Sequence, residues 1–129
     1  MATVAISSCD NYELEKVSTA VKKCLSLIGN LETIVRPGMK VLLKLNLLSA
    51  SLGPERAVNT HPAVIRALVD IFKNDYGCEV YIGDSCGSLR TGSTDKAFRV
   101  TQIDKIAEET GAVIVNFDKD EALDITNEN

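Results

Sequence analysis

The stretch KVLLKLN, residues 40–46, limits the fold more than any other feature, because its apolar residues occupy both faces of an extended chain. A strand at the surface of a protein alternates apolar and polar residues, whereas a strand that is apolar on both faces is typical of the interior of a parallel sheet. We therefore interpret residues 40–46 as a central strand. Parallel strands need long crossover connections, so helices are expected on either side of it in the chain.

Segments with strand and helix patterns alternate along the rest of the chain. Short β-branched and apolar runs predict further strands at residues 3–7, 78–84, 112–117 and, in the tail, 122–126. Apolar residues at three- and four-residue steps predict helices at residues 13–28 and 62–74, a short turn at 30–35, and two short helices at 94–99 and 102–111. Asp10 and Glu13 have the spacing of a capping box, and Pro62 suits the first position of a helix.

This alternation predicts an α/β fold. We expect one domain over residues 1–129, with a three-layer, Rossmann-like structure. Its mostly parallel sheet has four to five strands, with helices on both faces and right-handed crossovers. A charged, asparagine-rich tail without a closing helix follows residue 117. We therefore expect the domain to be the N-terminal part of a longer protein.

Composition argues against several classes of function. The 129 residues carry a net charge of −4, unlike the clustered Lys and Arg of a surface that binds nucleic acid. No apolar run reaches the roughly 20 residues needed to cross a bilayer. The N-terminus lacks the basic start and apolar stretch of a signal peptide. We expect a cytoplasmic protein that binds neither nucleic acid nor membrane.

The cysteines show no C-x-x-C spacing, so the sequence predicts no metal site built from Cys9, Cys24, Cys78 and Cys86. Disulfides are also rare in the cytosol. Cys24 and Cys78 fall in apolar patterns and are interpreted as small buried hydrophobic residues. Cys86 differs, because it lies in the polar, glycine-rich loop GDSCGSLRTGS, residues 83–93.

Polar residues collect where the predicted strands end, and ligands of open parallel sheets bind beyond that edge. The strand ends carry Lys44, Asn46, Gly83, Asp84, Ser85, Asn116 and Asp118. Thr60 and His61 stand just before a predicted helix and face the same edge. We predict ligand binding by Lys44, Asn46, Thr60, His61, Gly83, Asp84 and Ser85. The candidate catalytic residues are His61, Asp84 and Lys44; His61 is the only histidine, and its ordinary pKa lies near neutrality.

Two interpretations of this edge stay open. In the first, a small anion is held by Lys44 and by the free backbone amides of the following helix. In the second, Thr60 caps that helix and Lys44 is a solvated strand end. A mononuclear metal site of His61, Asp84 and Asp118 is a minor third alternative.

Two connections border the edge. Residues 83–93 resemble a phosphate loop in composition, with Arg90 as an added charge, but neither G-x-G-x-x-G nor G-x-x-x-x-G-K-[ST] is present. No G-x-S-x-G turn supports a Ser–His–Asp triad. The segment from Asn46 to His61 shows no clean period over roughly fifteen residues, and loops of that length inside a domain are usually functional or disordered. We expect it to cover the ligand edge.

Several motifs together resemble the domain of unknown function 362 family. They are VLLKLNLLSA, AVNTHPAVIRALVDIF, VYIGDS and AFRVTQIDKIAEETGAVIVNFD. The most specific parts are Lys44-x-Asn46, Thr60-His61-Pro62 and Gly83-Asp84-Ser85, and the similarity runs over nearly all of the chain. Leu45 stands where the family usually has proline, and Cys86 where it often has proline or a small residue. The difference at Cys86 has two interpretations: a variant redox function, or no functional significance.

Members of that family are often fused to a ferredoxin-type domain with two 4Fe–4S clusters. The resemblance therefore implies a redox-linked, ligand-binding α/β domain, with no cofactor in this chain and an iron–sulfur domain or redox partner beyond residue 129. One alternative is a stand-alone enzyme acting on a small anionic substrate. Another is an interaction module that docks a partner through Leu47, Leu48 and Leu52.

Overall fold

The computed structural model describes residues 3–87 and 92–121. The helices are α1 (Leu14–Ile28), α2 (Leu31–Ile34), α3 (Pro62–Asp70), α4 (Ser93–Val100) and α5 (Ile103–Thr110). The strands are β1 (Lys40–Lys44), β2 (Glu79–Asp84) and β3 (Val113–Asn116). Helix α3 continues into a π-helical turn, Ile71–Asp75, and 3-10 turns lie at Pro54–Arg56 and Phe117–Lys119. The predicted α/β class is confirmed.

The strands form one parallel sheet in the order β1-β2-β3. The described residues contribute three strands, fewer than the four or five predicted. The prediction of a strand at residues 3–7 is wrong: these residues form no regular secondary structure, and Val4 and Ile6 are 80% and 84% exposed. Their β-branched composition favours a strand, but no neighbouring strand is present in the described part of the chain. The predicted strand at 122–126 lies outside it.

The core lies on one face of the sheet. The register sets Val41 beside Val80 and Leu43 beside Ile82, and these side chains point towards the helices. Right-handed crossovers, which nearly all such units have, place the helices of successive β1-β2 and β2-β3 connections on the same face. Ile65 of α3 packs into this core, as do the other helix residues Val69, Ala97, Phe98, Ile103 and Ile106.

The prediction that residues 40–46 form a central strand is wrong for the described sheet, because β1 lies at its edge and one of its faces is exposed. This exposed face of the sheet, which we call the open face, carries the side chains of Lys40, Leu42, Lys44, Glu79, Tyr81, Val113, Val115 and Phe117. Leu42 is 51% exposed and Val113 is 49% exposed. Helix α1 packs mainly against α3 instead of covering this face. Among residues 3–87 and 92–121 the second helical layer expected from the sequence is therefore missing, because the strand order sends both crossovers to the other side.

The helix starts differ in detail from the sequence prediction. The predicted capping box at Asp10 is wrong: the side chain of Glu13 makes no capping bond, and Asn11 Oδ1 accepts the Glu13 amide at 3.0 Å. Pro62 is the first residue of α3, as predicted. Within the described ranges, no helix has the length and apolar character needed to cross a membrane.

Candidate functional site

The alternation of β1 continues past its last residue and decides which side chains face outward. Leu45 and Leu47 are 4% and 2% exposed and belong to the core, whereas Lys44 and Asn46 lie at the surface. The Leu45 amide donates to Gly83 O at 3.1 Å, so this segment still follows β2. The polar residues of the KLN motif are thus presented to solvent because the leucines between them are buried.

Asp84 is the buried centre of this edge, with 3% of its surface exposed. Its Oδ1 accepts from Lys44 Nζ at 2.6 Å and from the Ser85 amide at 2.9 Å. Its Oδ2 accepts from the Leu47 amide at 2.8 Å. The carboxylate therefore replaces a main-chain acceptor of β2 and fixes the segment that leaves β1. A buried charge is tolerated where it is paired and hydrogen-bonded in this way.

Lys44 is held in place and yet remains accessible. Its side chain is 62% exposed, although Nζ lies 2.6 Å from the Asp84 carboxylate. Nζ also donates to Leu45 O at 2.8 Å. An ammonium group has three N–H donors, and these contacts use two of them. One donor is left for a ligand in solvent.

Asn46 and Thr60 close the base of the long loop. The Asn46 amide donates to Thr60 Oγ1 at 2.9 Å, and the Thr60 amide donates back to Asn46 O at 2.9 Å. Asn46 Nδ2 donates to Val58 O at 2.9 Å. The segment between them is thus a compact loop whose ends meet, as in an Ω-loop. Thr60 closes this loop and does not cap α3.

Asn59 organises the inside of the loop, and the sequence analysis missed it. It is 5% exposed. Its Oδ1 accepts from the amides of Leu48 at 2.9 Å and Ser49 at 3.0 Å. Its Nδ2 donates to Ser49 O at 2.9 Å and Leu52 O at 3.1 Å. All of these partners are seven or more residues away in the chain, so no local pattern could have identified the role.

The leucines of this loop do not form the shared docking surface proposed from the sequence. Leu47 is 2% exposed and packs in the core, because strand alternation continues through it. Leu48 is 59% exposed, and Leu52 is half-buried. The interaction-module hypothesis therefore loses the exposed cluster on which it was based.

His61 caps α3 and takes no part in the Lys44–Asp84 contact. Its Nδ1 accepts from the Ala63 amide at 3.1 Å, so the ring proton sits on Nε2. Its ring stacks on Tyr12 with centroids 3.5 Å apart. Burial lowers the pKa of His61 below its usual value. The Val64 amide donates to His61 O at 3.0 Å, so the first amides of α3 are occupied and do not supply the predicted anion site.

Gly83 and Ser85 flank Asp84 in different ways. A Cβ at Gly83 would lie 2.6 Å from Cε1 of Phe117 and 3.1 Å from Cδ1 of Leu42. Gly83 is therefore glycine because Phe117 and Leu42 close over it on the open face, which is a packing role. Ser85 is exposed and directly follows Asp84, to which its backbone amide donates.

The polar residues at the end of β3 form a separate network. The Thr94 hydroxyl accepts the Cys86 amide at 2.7 Å and donates to Asp118 at 2.5 Å. Asn116 donates to Asp95 at 2.7 Å. Hydrogen bonds from Lys119 and then Asn116 hold the pKa of Asp95 below its usual range. These contacts tie α4 to β3.

The cysteines and acidic residues of the described ranges do not form a group that could hold a metal ion. Cys86 is 7% exposed and thus buried, despite its polar loop. Cys78 is buried as predicted, whereas Cys24, for which the same was predicted, is only partly buried. The described residues include no group of three or more His, Cys, Asp or Glu side chains that could hold a metal ion. His61, Asp84 and Asp118 in particular have separate partners. Arg90 lies outside the described ranges.

Two surface cavities lie away from this edge. One, of about 790 Å³, lies between α1, α2 and the π-helical turn. The other, of about 440 Å³, lies between the segment before α1 and the facing sides of α1 and α3. Lys44 and Asp84 line neither of them.

Residues 41–129 match the family model described as Domain of unknown function (DUF362). The chain belongs to this family. The DUF362 match begins within β1, so it contains Lys44, the long loop and Asp84 but leaves α1 and the preceding segment outside. This span is shorter than the resemblance expected from the sequence.

A curated relative of this DUF362 chain is the thylakoid-associated protein sll1697 of Synechocystis sp.. It is 30% identical over 83 residues, which are 64% of this chain and 25% of that protein. The chain thus spans about a quarter of the length of that relative. No solved structure matches the chain.

The contacts of Asn59 predict a loss of stability in Asn59→Asp. The carboxylate keeps the acceptor for the Leu48 and Ser49 amides but removes both donors, which leaves buried carbonyl groups facing a charge. We expect the free energy of unfolding to fall by about 1–3 kcal/mol. Urea denaturation measures it, with Ser51→Ala in the same loop as the control. Equal unfolding free energies for Asn59→Asp and the control would contradict this role.

The lowered pKa of His61 predicts a pH dependence of stability. As the pH falls, the unfolded chain takes up a proton near the usual pKa of 6.5, before the folded protein does. The contribution is therefore complete above that value and is lost as the pH falls from 6.5 to the folded pKa. In His61→Asn the cap is kept without a titrating group. Chemical denaturation between about pH 7.5 and 5.5 should show a smaller loss in the variant, and equal losses would refute the assignment.

Proposed function

We propose that this DUF362 domain binds a small anionic ligand at the carboxyl end of β1, with Lys44 as the positively charged contact. The observation that supports this proposal is that the Lys44 ammonium is fixed by a buried carboxylate while 62% of the side chain faces solvent. A flexible lysine loses conformational freedom when it binds, whereas a lysine that is already held loses less. The pair thus presents an oriented N–H to the surface.

The charge of the pair shapes the kind of ligand we propose. Asp84 lies 2.6 Å from Lys44 Nζ and offsets much of its charge. A ligand therefore gains mainly a charge-assisted hydrogen bond from the ammonium group. The Ser85 hydroxyl and the exposed amide of Asn46 are the neighbouring polar groups that fit a carboxylate or phosphate oxygen.

Binding is a better proposal than catalysis for this chain. A stand-alone enzyme would need a group near Lys44 that exchanges protons at neutral pH. His61 is the sequence candidate, but its Nδ1 accepts from Ala63 and its ring lies on Tyr12. Asp84 is occupied by three donors.

We also propose that the domain works with an iron–sulfur domain of the same protein, located beyond residue 129. What supports this proposal is the fusion to ferredoxin-type domains that the family resemblance implies. The curated relative, of which this chain covers 25%, is long enough to contain a further domain. The cysteines of this chain do not fit a 4Fe–4S cluster. Cys78 and Cys86 are each buried with different partners, and the described residues hold no metal-binding group of three or more side chains.

Replacing Lys44 tests the anion site. In Lys44→Gln a donor to Asp84 remains while the charge is removed, so the affinity for a bound anion should fall by the roughly 1.5–3 kcal/mol of a charge-assisted hydrogen bond. Calorimetric titration of phosphate, sulfate and nucleotides measures the change. Lys40→Gln, on the same face of the same strand, is the matched control and should bind as the wild type does. Equal binding by all three proteins would exclude the site at Lys44.

Iron content tests the redox proposal. We expect residues 1–129, purified without oxygen, to be colourless and free of iron. The full-length protein should contain iron, absorb visible light and give the electron paramagnetic resonance signal of a reduced cluster. Stoichiometric iron in residues 1–129, or none in the full-length protein, would contradict it.

A further inference from the structure

We infer that the open face of the sheet is covered by an amphipathic helix from another part of the same polypeptide, outside residues 1–129. The inference starts from the exposure of Leu42 and Val113, about half of each side chain. Parallel sheets occur almost only where both faces are covered, since both carry apolar side chains. An uncovered parallel sheet is therefore an incomplete layer structure.

The described chain does not supply the missing layer. Its crossovers run in one direction across the sheet, from β1 to β2 to β3, and right-handed crossovers in one direction cover one face. Helix α1 packs mainly on α3. A helix reaches the open face when the chain adds strands in the reverse direction, next to β1, as doubly wound sheets do. In the described sheet that edge of β1 is free.

The side chains of the open face indicate the character of the covering helix. Its middle is apolar, where Phe117 and Leu42 close over Gly83. Its margin along β1 is polar: Lys40, with Nζ 5.9 Å from the centre of the Tyr81 ring, lies beside Glu79 in the register, and Lys44 is paired with Asp84. The matching helix therefore has an apolar stripe that meets Leu42 and Val113, bordered by polar residues on the side that meets β1.

The occupant is assigned to the same polypeptide because of relative lengths. The chain covers 25% of the curated relative, which leaves ample sequence for further strands and helices. The inference rests on the proposed function only in that both require a protein longer than residues 1–129. An added strand beside β1 would make its carboxyl end the point where the strand order reverses, and ligands of such sheets bind at that point. Lys44 would then line a crevice instead of an open edge.

A photo-crosslinking experiment tests the inference. Leu42 is replaced by p-benzoylphenylalanine in the full-length protein, with Leu27, 55% exposed on α1, as the control position. A second probe at Val113 guards against misfolding of the first variant. We expect positions 42 and 113, but not 27, to crosslink within one molecule to a peptide beyond residue 129. Amide hydrogen exchange of β1 should also be at least roughly tenfold slower in the full-length protein than in residues 1–129.

Other results would overturn it. These are crosslinks from position 42 to a second copy or to residues 1–129, unchanged hydrogen exchange, or a natural reading frame that ends at residue 129. The proposed anion site is tested separately, because loss of ligand binding in Lys44→Gln does not depend on these crosslinks. Either proposal can therefore fail while the other stands.

Discussion

The buried carboxylate of Asp84 is the interaction on which the candidate site depends. It accepts the Leu47 amide at 2.8 Å and the Lys44 ammonium at 2.6 Å, and so joins the end of β2 to the segment leaving β1. Removing one partner of a buried charge costs more than the bond itself contributes, since the other group stays desolvated. Asp84 therefore determines both the direction of the Lys44 side chain and the conformation in which the long loop begins.

The long loop is ordered by side chains more than by secondary structure. Asn46 and Thr60 close its base, and Asn59 satisfies backbone groups inside it. Backbone groups without strand or helix partners must find others, and here one buried amide provides four bonds. These hydrogen bonds give the loop beside Lys44 a defined conformation.

Local pattern predicted the positions of β1 and β2, because periodicity in an apolar run is a short-range signal. It was wrong about the surroundings of β1: in the described sheet β1 is an edge strand with Leu42 51% exposed, and not a central strand buried on both faces. The local pattern gave a wrong prediction at residues 3–7: their composition is typical of a strand, but the described chain offers no strand with which they pair. The contacts of Asp84 with Leu47 and of Asn59 with Leu48 join distant parts of the chain, so no local spacing of residues in the sequence predicts them. Helices cover only one face of the described sheet because of the order of its strands. Periodicity in the sequence does not determine that order, so this feature could not be predicted.

The π-helical turn at the end of α3 has a consequence for chain length. Ile71 and Phe72 are neighbours and both are buried, at 3% and 8% exposure; Phe72 belongs to the main core, whereas Ile71 lines the cavity beside α1 and α2. The Tyr76 amide donates to Ile71 O, five residues back. Such a turn accommodates one residue more than a regular helix of that rise. Family members lacking one residue here would carry a regular helical end, and length variation before β2 is expected to map to this turn.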